Sequence, residues 1–298
     1  MKSPLQYSIT PLLLYSTAVL LLALTVFLPG CSSHQTDDQS LLVFCGAANK
    51  PPMEMISRAF EKTAGVPVRM IIHGSGTLLS QMELSRKGDI YLPGSPDYII
   101  IGEGKKLLVP ASDRIVVYLI PAIIVPRGNP AGIRTLEDLA RPGARVGIGN
   151  PQTVCLGLYA IELLEKNGLL ETVLPNVVTF AESCEKTADL AALNKVDAVI
   201  GWSVFQDWNP QRIERVLIPP ERIPRLSYVP IAIPVFARDR DLSRRFIDFV
   251  LSPAGLEFYR RYGYITSREE AFAYAPRAGI GGEYRLPKKY FELIRGKM

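Results

Sequence analysis

Strand, then a turn of small residues, then helix: this order recurs along the chain and limits what it can become. Leu41 to Cys45 reads as a short apolar strand. Gly46-Ala47-Ala48-Asn49-Lys50-Pro51-Pro52 is a loop, and Met53 to Thr63 a helix with Met53, Ile56 and Phe60 on one face. Val66, Val68, Met70 and Ile72 alternate as a strand, and Gly74-Ser75-Gly76-Thr77 opens a helix running from about Leu78 to Arg86. Further strands are expected at Asp89–Leu92, Ile115–Val125, Arg145–Ile148, Val177–Phe180 and Ala198–Trp202. Helices are expected after Gly149-Asn150-Pro151-Gln152-Thr153, through Leu164, and over Glu185–Asn194. Such alternation predicts an α/β fold, with mostly parallel sheets flanked by helices and ligands bound where strand ends meet helix N-termini. Ile115–Pro126 and Leu226–Ala237 are the candidate chain crossings between two lobes. With 298 residues, 48% hydrophobic and 21% charged, a large core is available and a disordered or collagen-like chain is excluded. The net charge of +5 comes from dispersed Lys and Arg, which is no nucleic-acid footprint.

The first thirty residues read as an address. Lys2 is the only charge before Asp37, Pro11 to Pro29 is almost wholly apolar, and the stretch ends in Leu28-Pro29-Gly30-Cys31. A basic start, an apolar stretch and a small residue before a cut site describe a secretory signal. The Leu-x-Gly-Cys ending resembles a bacterial lipobox, which makes Cys31 the lipidation residue and residues 31–40 a tether. An uncleaved membrane anchor is the alternative, and either way the globular part is expected outside the cytoplasm. Cys45, Cys155 and Cys184 remain; they read as small buried hydrophobes, of which at most one pair can be bridged internally. His34 and His73 are the only histidines, so no histidine-based metal site and no cofactor is expected.

The turns carry the chemistry. Helix N-termini offer unpaired N–H groups and a positive dipole end, and the loops at 45–49, 73–77 and 149–157 contain no Asp or Glu. A fully ionised tetrahedral oxyanion offers only acceptors, so a donor-only lining suits it. Hydrogen phosphate would want an acceptor carboxylate, and only Glu182 lies close in sequence. Gly74-Ser75-Gly76-Thr77 is neither a Walker loop nor a dinucleotide fingerprint, and no Gly-x-Ser-x-Gly elbow occurs, which argues against an enzyme.

Val43-Phe44-Cys45-Gly46-Ala47-Ala48, Gly74-Ser75-Gly76-Thr77-Leu78-Leu79-Ser80-Gln81 and Gly88-Asp89-Ile90-Tyr91 resemble the first lobe of periplasmic molybdate-binding proteins. Gly149 to Ala160 is similar to that family's second-lobe anion loop. Phe246 to Tyr264, with Ser252-Pro253-Ala254-Gly255, is similar to its closing helices. The resemblance covers about Leu41 to Thr266 and implies a type II periplasmic-binding-protein fold with two lobes joined by two hinge crossings. Residues 41–117 with 230–270 would form lobe 1 and 118–229 lobe 2, followed by a basic extension over 271–298. It further implies a monomeric solute receptor that closes on molybdate or tungstate and delivers it to an ABC permease. Sulfate, another oxyanion or a small organic anion is the alternative, and an extracytoplasmic enzyme or a sensory lipoprotein a more distant one.

By position, the family's ligand contacts fall on Ala48, Ser75, Leu156, Cys184 and Trp202, with Asn49, Gly76 and Cys155 beside them. Ser75 keeps a hydroxyl. Ala48 stands where the family has serine, and Asn49 or a backbone N–H would supply the missing donor. Trp202 stands where the family has tyrosine; its indole N–H is a pure donor, although a core tryptophan would sit there equally well. Cys155 and Cys184 fall on two adjacent ligand loops, where a disulfide would stiffen the second half-site. The tail from Tyr274 departs from the resemblance: Gly279–Gly282 reads as flexible, and Leu286–Met298 as a helix on a lobe or a membrane-surface contact.

Overall fold

The run Leu41-Leu42-Val43-Phe44-Cys45-Gly46 carries no charge, as suits a strand covered on both faces, and it forms β1 (Leu41–Gly46). This computed structural model describes residues 40–295; the leader 1–30, Cys31 and the tether up to residue 39 lie outside the described residues. A turn of 3-10 helix joins β1 to α1 (Lys50–Ala64), with Pro51 and Pro52 in the first turn, where no N–H is required. There follow β2 (Val68–His73), α2 (Ser75–Ser85), β3 (Ile90–Leu92) and α3 (Asp97–Gly104). β2 and β3 flank β1, both parallel to it, in a three-stranded sheet that founds the first lobe.

The apolar stretch expected as one strand over Ile115–Val125 is two. β4 (Arg114–Leu119) and β5 (Pro121–Pro126) belong to different sheets. Pro121 has no N–H for a ladder, and the first position of a strand is one of the few places that tolerates this. β5 sits inside the second lobe's sheet with β6 (Val146–Gly149), β7 (Val177–Ala181), β8 (Ala198–Trp202) and β9 (Ile213–Leu217), in the order β7-β6-β8-β5-β9. β6 runs parallel to β7 and β8, and β5 antiparallel to β8 and β9, so this sheet is mixed. The helices of this lobe are α4 (Cys155–Lys166), α5 (Leu170–Val173), α6 (Cys184–Ala192) and α7 (Phe205–Trp208).

β10 (Arg225–Ile231) returns antiparallel to β4, so the two crossings lie side by side as a paired hinge between the lobes. α8 (Arg240–Leu251) and α9 (Pro253–Arg260) then pack back on the first lobe, where Phe246 meets Phe60 of α1 edge-on with 5.0 Å between ring centroids. The last described elements are α10 (Arg268–Tyr274), β11 (Gly279–Ile280) and α11 (Lys288–Leu293).

The tail departs from its flexible reading. β11 pairs parallel with β10, and the N–H of Gly281 donates to the Leu226 carbonyl at 3.0 Å. Gly281 is required there: its φ is +66° and a Cβ would lie 2.3 Å from Cε1 of Tyr228. Arg225, at the start of β10, gathers the surroundings. Its Nε donates to Glu162 of α4 at 2.7 Å, while its Nη1 donates to Asp97 of α3 at 3.1 Å and to the Gly282 carbonyl at 2.8 Å. Its guanidinium lies 4.0 Å from the Tyr159 ring centroid. Tyr284 donates its N–H to Asp97 (3.0 Å) and its hydroxyl to Glu165 (2.9 Å), so the tail is strapped across both lobes. Tyr290 and Ile294 complete the strap by burying themselves in the second lobe's core. Tyr284→Phe should therefore lower stability by about 1 kcal/mol, read as a fall of a few degrees in the melting midpoint.

Candidate functional site

Gly74 ends β2 in ordinary extended backbone, φ −63° and ψ 144°, and sets Ser75 at the start of α2. Ser75 is buried, and its Oγ accepts the N–H of Gly94 at 3.0 Å. With that lone pair engaged, the hydroxyl proton is free to point into the cleft. Its carbonyl accepts from the Tyr91 hydroxyl at 2.9 Å, which pins the turn. Gly94 follows β3 and is the meeting point of both lobes: a Cβ there would lie 2.7 Å from Cys155 Sγ, 3.4 Å from Ala48 Cβ and 3.8 Å from Ser75 Oγ.

The second lobe faces this cluster with two helix N-termini. β6 leads into α4, which begins at Cys155, and the parallel β7 leads into α6, which begins at Cys184. The first N–H groups of each helix have no partner within the helix, so each N-terminus has donors to offer an anion. Ser183 caps α6 by accepting the Lys186 N–H at 3.1 Å. At the end of β8, Trp202 is fully buried, packs edge-on against Tyr159 with 5.1 Å between centroids, and its Nε1–H has no hydrogen-bond partner. The Tyr159 hydroxyl and the Ser95 hydroxyl are likewise buried without partners. Each orphaned donor is costly to bury, so a cluster of them marks a place where a ligand's acceptors are wanted.

The lobes are closed on one another. The Gly76 N–H donates across the cleft to the Thr153 carbonyl at 2.9 Å, and Lys50 Nζ of α1 lies 2.5 Å from Glu185 Oε1 of α6. No residue in the Ser75–Gly94–Cys155–Cys184–Trp202 cluster carries a formal charge. Burial pushes the phenols of Tyr98 and Tyr159 well up, so both stay protonated donors. The adjacent Cys155 thiol, with burial, pushes the Cys184 thiol up as well, so it adds no negative charge. A separate cavity of about 240 Å³ lies between α1 and α6; its lining includes Glu54, Glu185 and Asp189, which is the wrong sign for an anion.

Of the residues singled out in the sequence, Ala48, Ser75 and Cys155 converge on Gly94, and Leu156, Cys184 and Trp202 stand on the opposite wall. Ala48 presents its methyl group, while its carbonyl accepts from the Tyr264 hydroxyl. Gly76 spends its N–H on Thr153 and so serves closure. Asn49 turns its Oδ1 toward the Tyr259 hydroxyl at 3.4 Å, and its Nδ2 is buried without a partner. Cys155 and Cys184 are free thiols lying against each other. Gly94 and Ser95 were missed in the sequence, although Leu92-Pro93-Gly94-Ser95 is one more small-residue turn after a strand.

Several known proteins are similar to this chain. The Escherichia coli molybdate-binding protein ModA is 23% identical over 235 residues, covering 76% of this chain and 90% of its own. Among solved structures, the periplasmic molybdate-binding protein of Azotobacter vinelandii superposes with a TM-score of 0.67 at 17% identity, over 77% of this chain and all of that one. The sulfate-binding protein SubI of Mycobacterium tuberculosis does so with a TM-score of 0.65 at 15% identity, over 81% and 93%. The fold is thus the two-lobed, type II periplasmic-binding-protein fold. The sequence model of bacterial extracellular solute-binding proteins matches residues 41–265, three quarters of the chain, and to that family this protein belongs.

Proposed function

We propose that this protein captures a fully ionised tetrahedral oxyanion, molybdate or tungstate, between its lobes and delivers it to the membrane permease of an ABC importer. One observation carries the reading: Ser75 and Cys155, at the start of α4, meet at Gly94, the α6 N-terminus and the buried, unpartnered indole N–H of Trp202 belong to the same second lobe as α4, and none of these groups is a carboxylate. Such a set offers donors only, which matches an anion with no proton of its own and rejects hydrogen phosphate. Molybdate-binding relatives support the same choice. Residues 41–117 with 230–270 act as lobe 1 and 118–229 as lobe 2, and closure about the β4–β10 hinge traps the anion. Cys31 carries a lipid that holds the receptor, a monomer, outside the cytoplasm beside its permease.

Sulfate is the second reading. The approach of Cys155 Sγ to Gly94 leaves little room, which favours the smaller anion, and SubI shares the fold. Calorimetric titration with molybdate, tungstate, sulfate and phosphate decides between them. Tight binding of molybdate or tungstate with sulfate silent establishes the first reading; sulfate alone establishes the second; silence from all four overturns both. Trp202→Phe removes the indole N–H together with part of the ring, and should weaken the binding anion about tenfold or more; the cavity left at this fully buried position should also lower the melting midpoint by a few degrees.

A further inference from the structure

We propose that Cys155 and Cys184 form a reversible redox pair within the anion site, accessible to oxidants only when the lobes part, and that their disulfide tightens anion binding. The second half of this rests on the oxyanion reading above. Each cysteine is the first residue of a helix, α4 and α6, so each sits beside the N–H groups offered to the anion. The strands feeding those helices are parallel neighbours, with Gly149 opposite Ala181, and the Asn150 N–H donates to the Ala181 carbonyl at 2.8 Å. That pairing brings the two turns together and sets one sulfur against the other. Both side chains are buried, and Cys155 Sγ is covered from the opposite lobe by Gly94. Closure therefore seals the pair, and only hinge opening uncovers it.

Cys45 is no competitor. It is buried on the first lobe near Tyr259 and Tyr264, and its thiol faces the Gly46 carbonyl. The redox partner is a low-molecular-weight disulfide of the glutathione class. The thiolate of one cysteine attacks its S–S bond, forming a mixed disulfide and releasing one thiol. The second cysteine then attacks the chain's sulfur, forming the Cys155–Cys184 bond and releasing the other thiol. Two electrons pass to the reagent, and the two protons given up by the cysteines end on its thiols. The new bond fixes the starts of α4 and α6 to each other, so less freedom remains to be lost when the anion orders them.

The full chain, kept in detergent, is exposed to glutathione disulfide with and without saturating molybdate, then mapped by unreduced peptide mass spectrometry. The expected result is a linked Cys155–Cys184 peptide pair, lighter by about 2 Da than the two thiol peptides, forming at least ten times more slowly with molybdate present. Calorimetry should then show about tenfold tighter binding by the oxidised than by the dithiothreitol-reduced protein. Cys184→Ser should bind equally under both conditions. Free thiols after oxidation without anion overturn the proposal, as does equal or weaker binding by the disulfide form. Absence of binding in both redox states instead overturns the oxyanion reading, and with it the tightening, while the peptide map still decides the redox pair.

Discussion

Replacing Gly74 by alanine should lower anion affinity at least a hundredfold while leaving the melting midpoint of the anion-free protein unchanged. The new Cβ would lie 2.7 Å from the Thr153 carbonyl oxygen and 2.8 Å from that of Glu182, both backbone atoms of the opposite lobe. Contacts so short must be relieved, and backbone held in a sheet-anchored turn gives way only if the lobes separate. The φ and ψ of Gly74 suit any residue, so the first lobe itself bears no strain. A variant that cannot close also forgoes the Gly76–Thr153 hydrogen bond across the cleft. Small-angle scattering should show the variant remaining expanded in saturating anion. Affinity equal to the unaltered protein would show that closure is not needed for binding.

Arg225→Met should be the most destabilising single change at the hinge. It leaves Asp97 and Glu162 facing each other in a buried site, an uncompensated arrangement that costs about 3–5 kcal/mol. The melting midpoint should fall by about 10 °C. Burial already raises the Glu162 carboxyl, and Arg225 opposes that rise. Without the arginine the carboxyl rises further, so the folded variant holds a proton that the unfolded chain releases. The deficit should then be smallest below the ordinary glutamate value of 4.5 and grow as pH climbs through the raised one. Melts across that range check both size and sign, and a deficit independent of pH would remove Glu162 from the account.

The strand–turn–helix rhythm made most of the fold legible, because uncharged runs such as Leu41–Gly46 and Ala198–Trp202 have few other uses in a water-soluble domain. The break between β4 and β5 was hidden, since hydropathy runs unbroken through Pro121 and only its missing N–H hints at a new strand. β9 was hidden too: Ile213-Glu214-Arg215-Val216-Leu217 is a sheet-edge strand whose charged residues mask its pattern. Among the candidate site residues, Ser75 stood out in its small-residue turn, whereas Trp202, at the end of β8, was reached only by position in the resemblance. The roles of Gly76 in bridging the cleft and of Asn49 in turning toward Tyr259 depend on groups distant in sequence, which no local pattern announces. Arg225 is the same case, with partners 63 and 128 residues away.

The strap has a consequence for how the protein is made. A ribosome delivers Asp97 and Glu165 long before Tyr284, and Tyr290, a fully buried member of the second lobe's core, emerges later still. Until then that core lacks a ring and α3 lacks its tie, so the nascent chain has every early strand yet cannot lock. Locking of the two lobes' cores waits on the residues of the strap. An unlocked chain can still be threaded through a translocation channel, whereas a finished one resists it, so the order of synthesis itself keeps the chain passable.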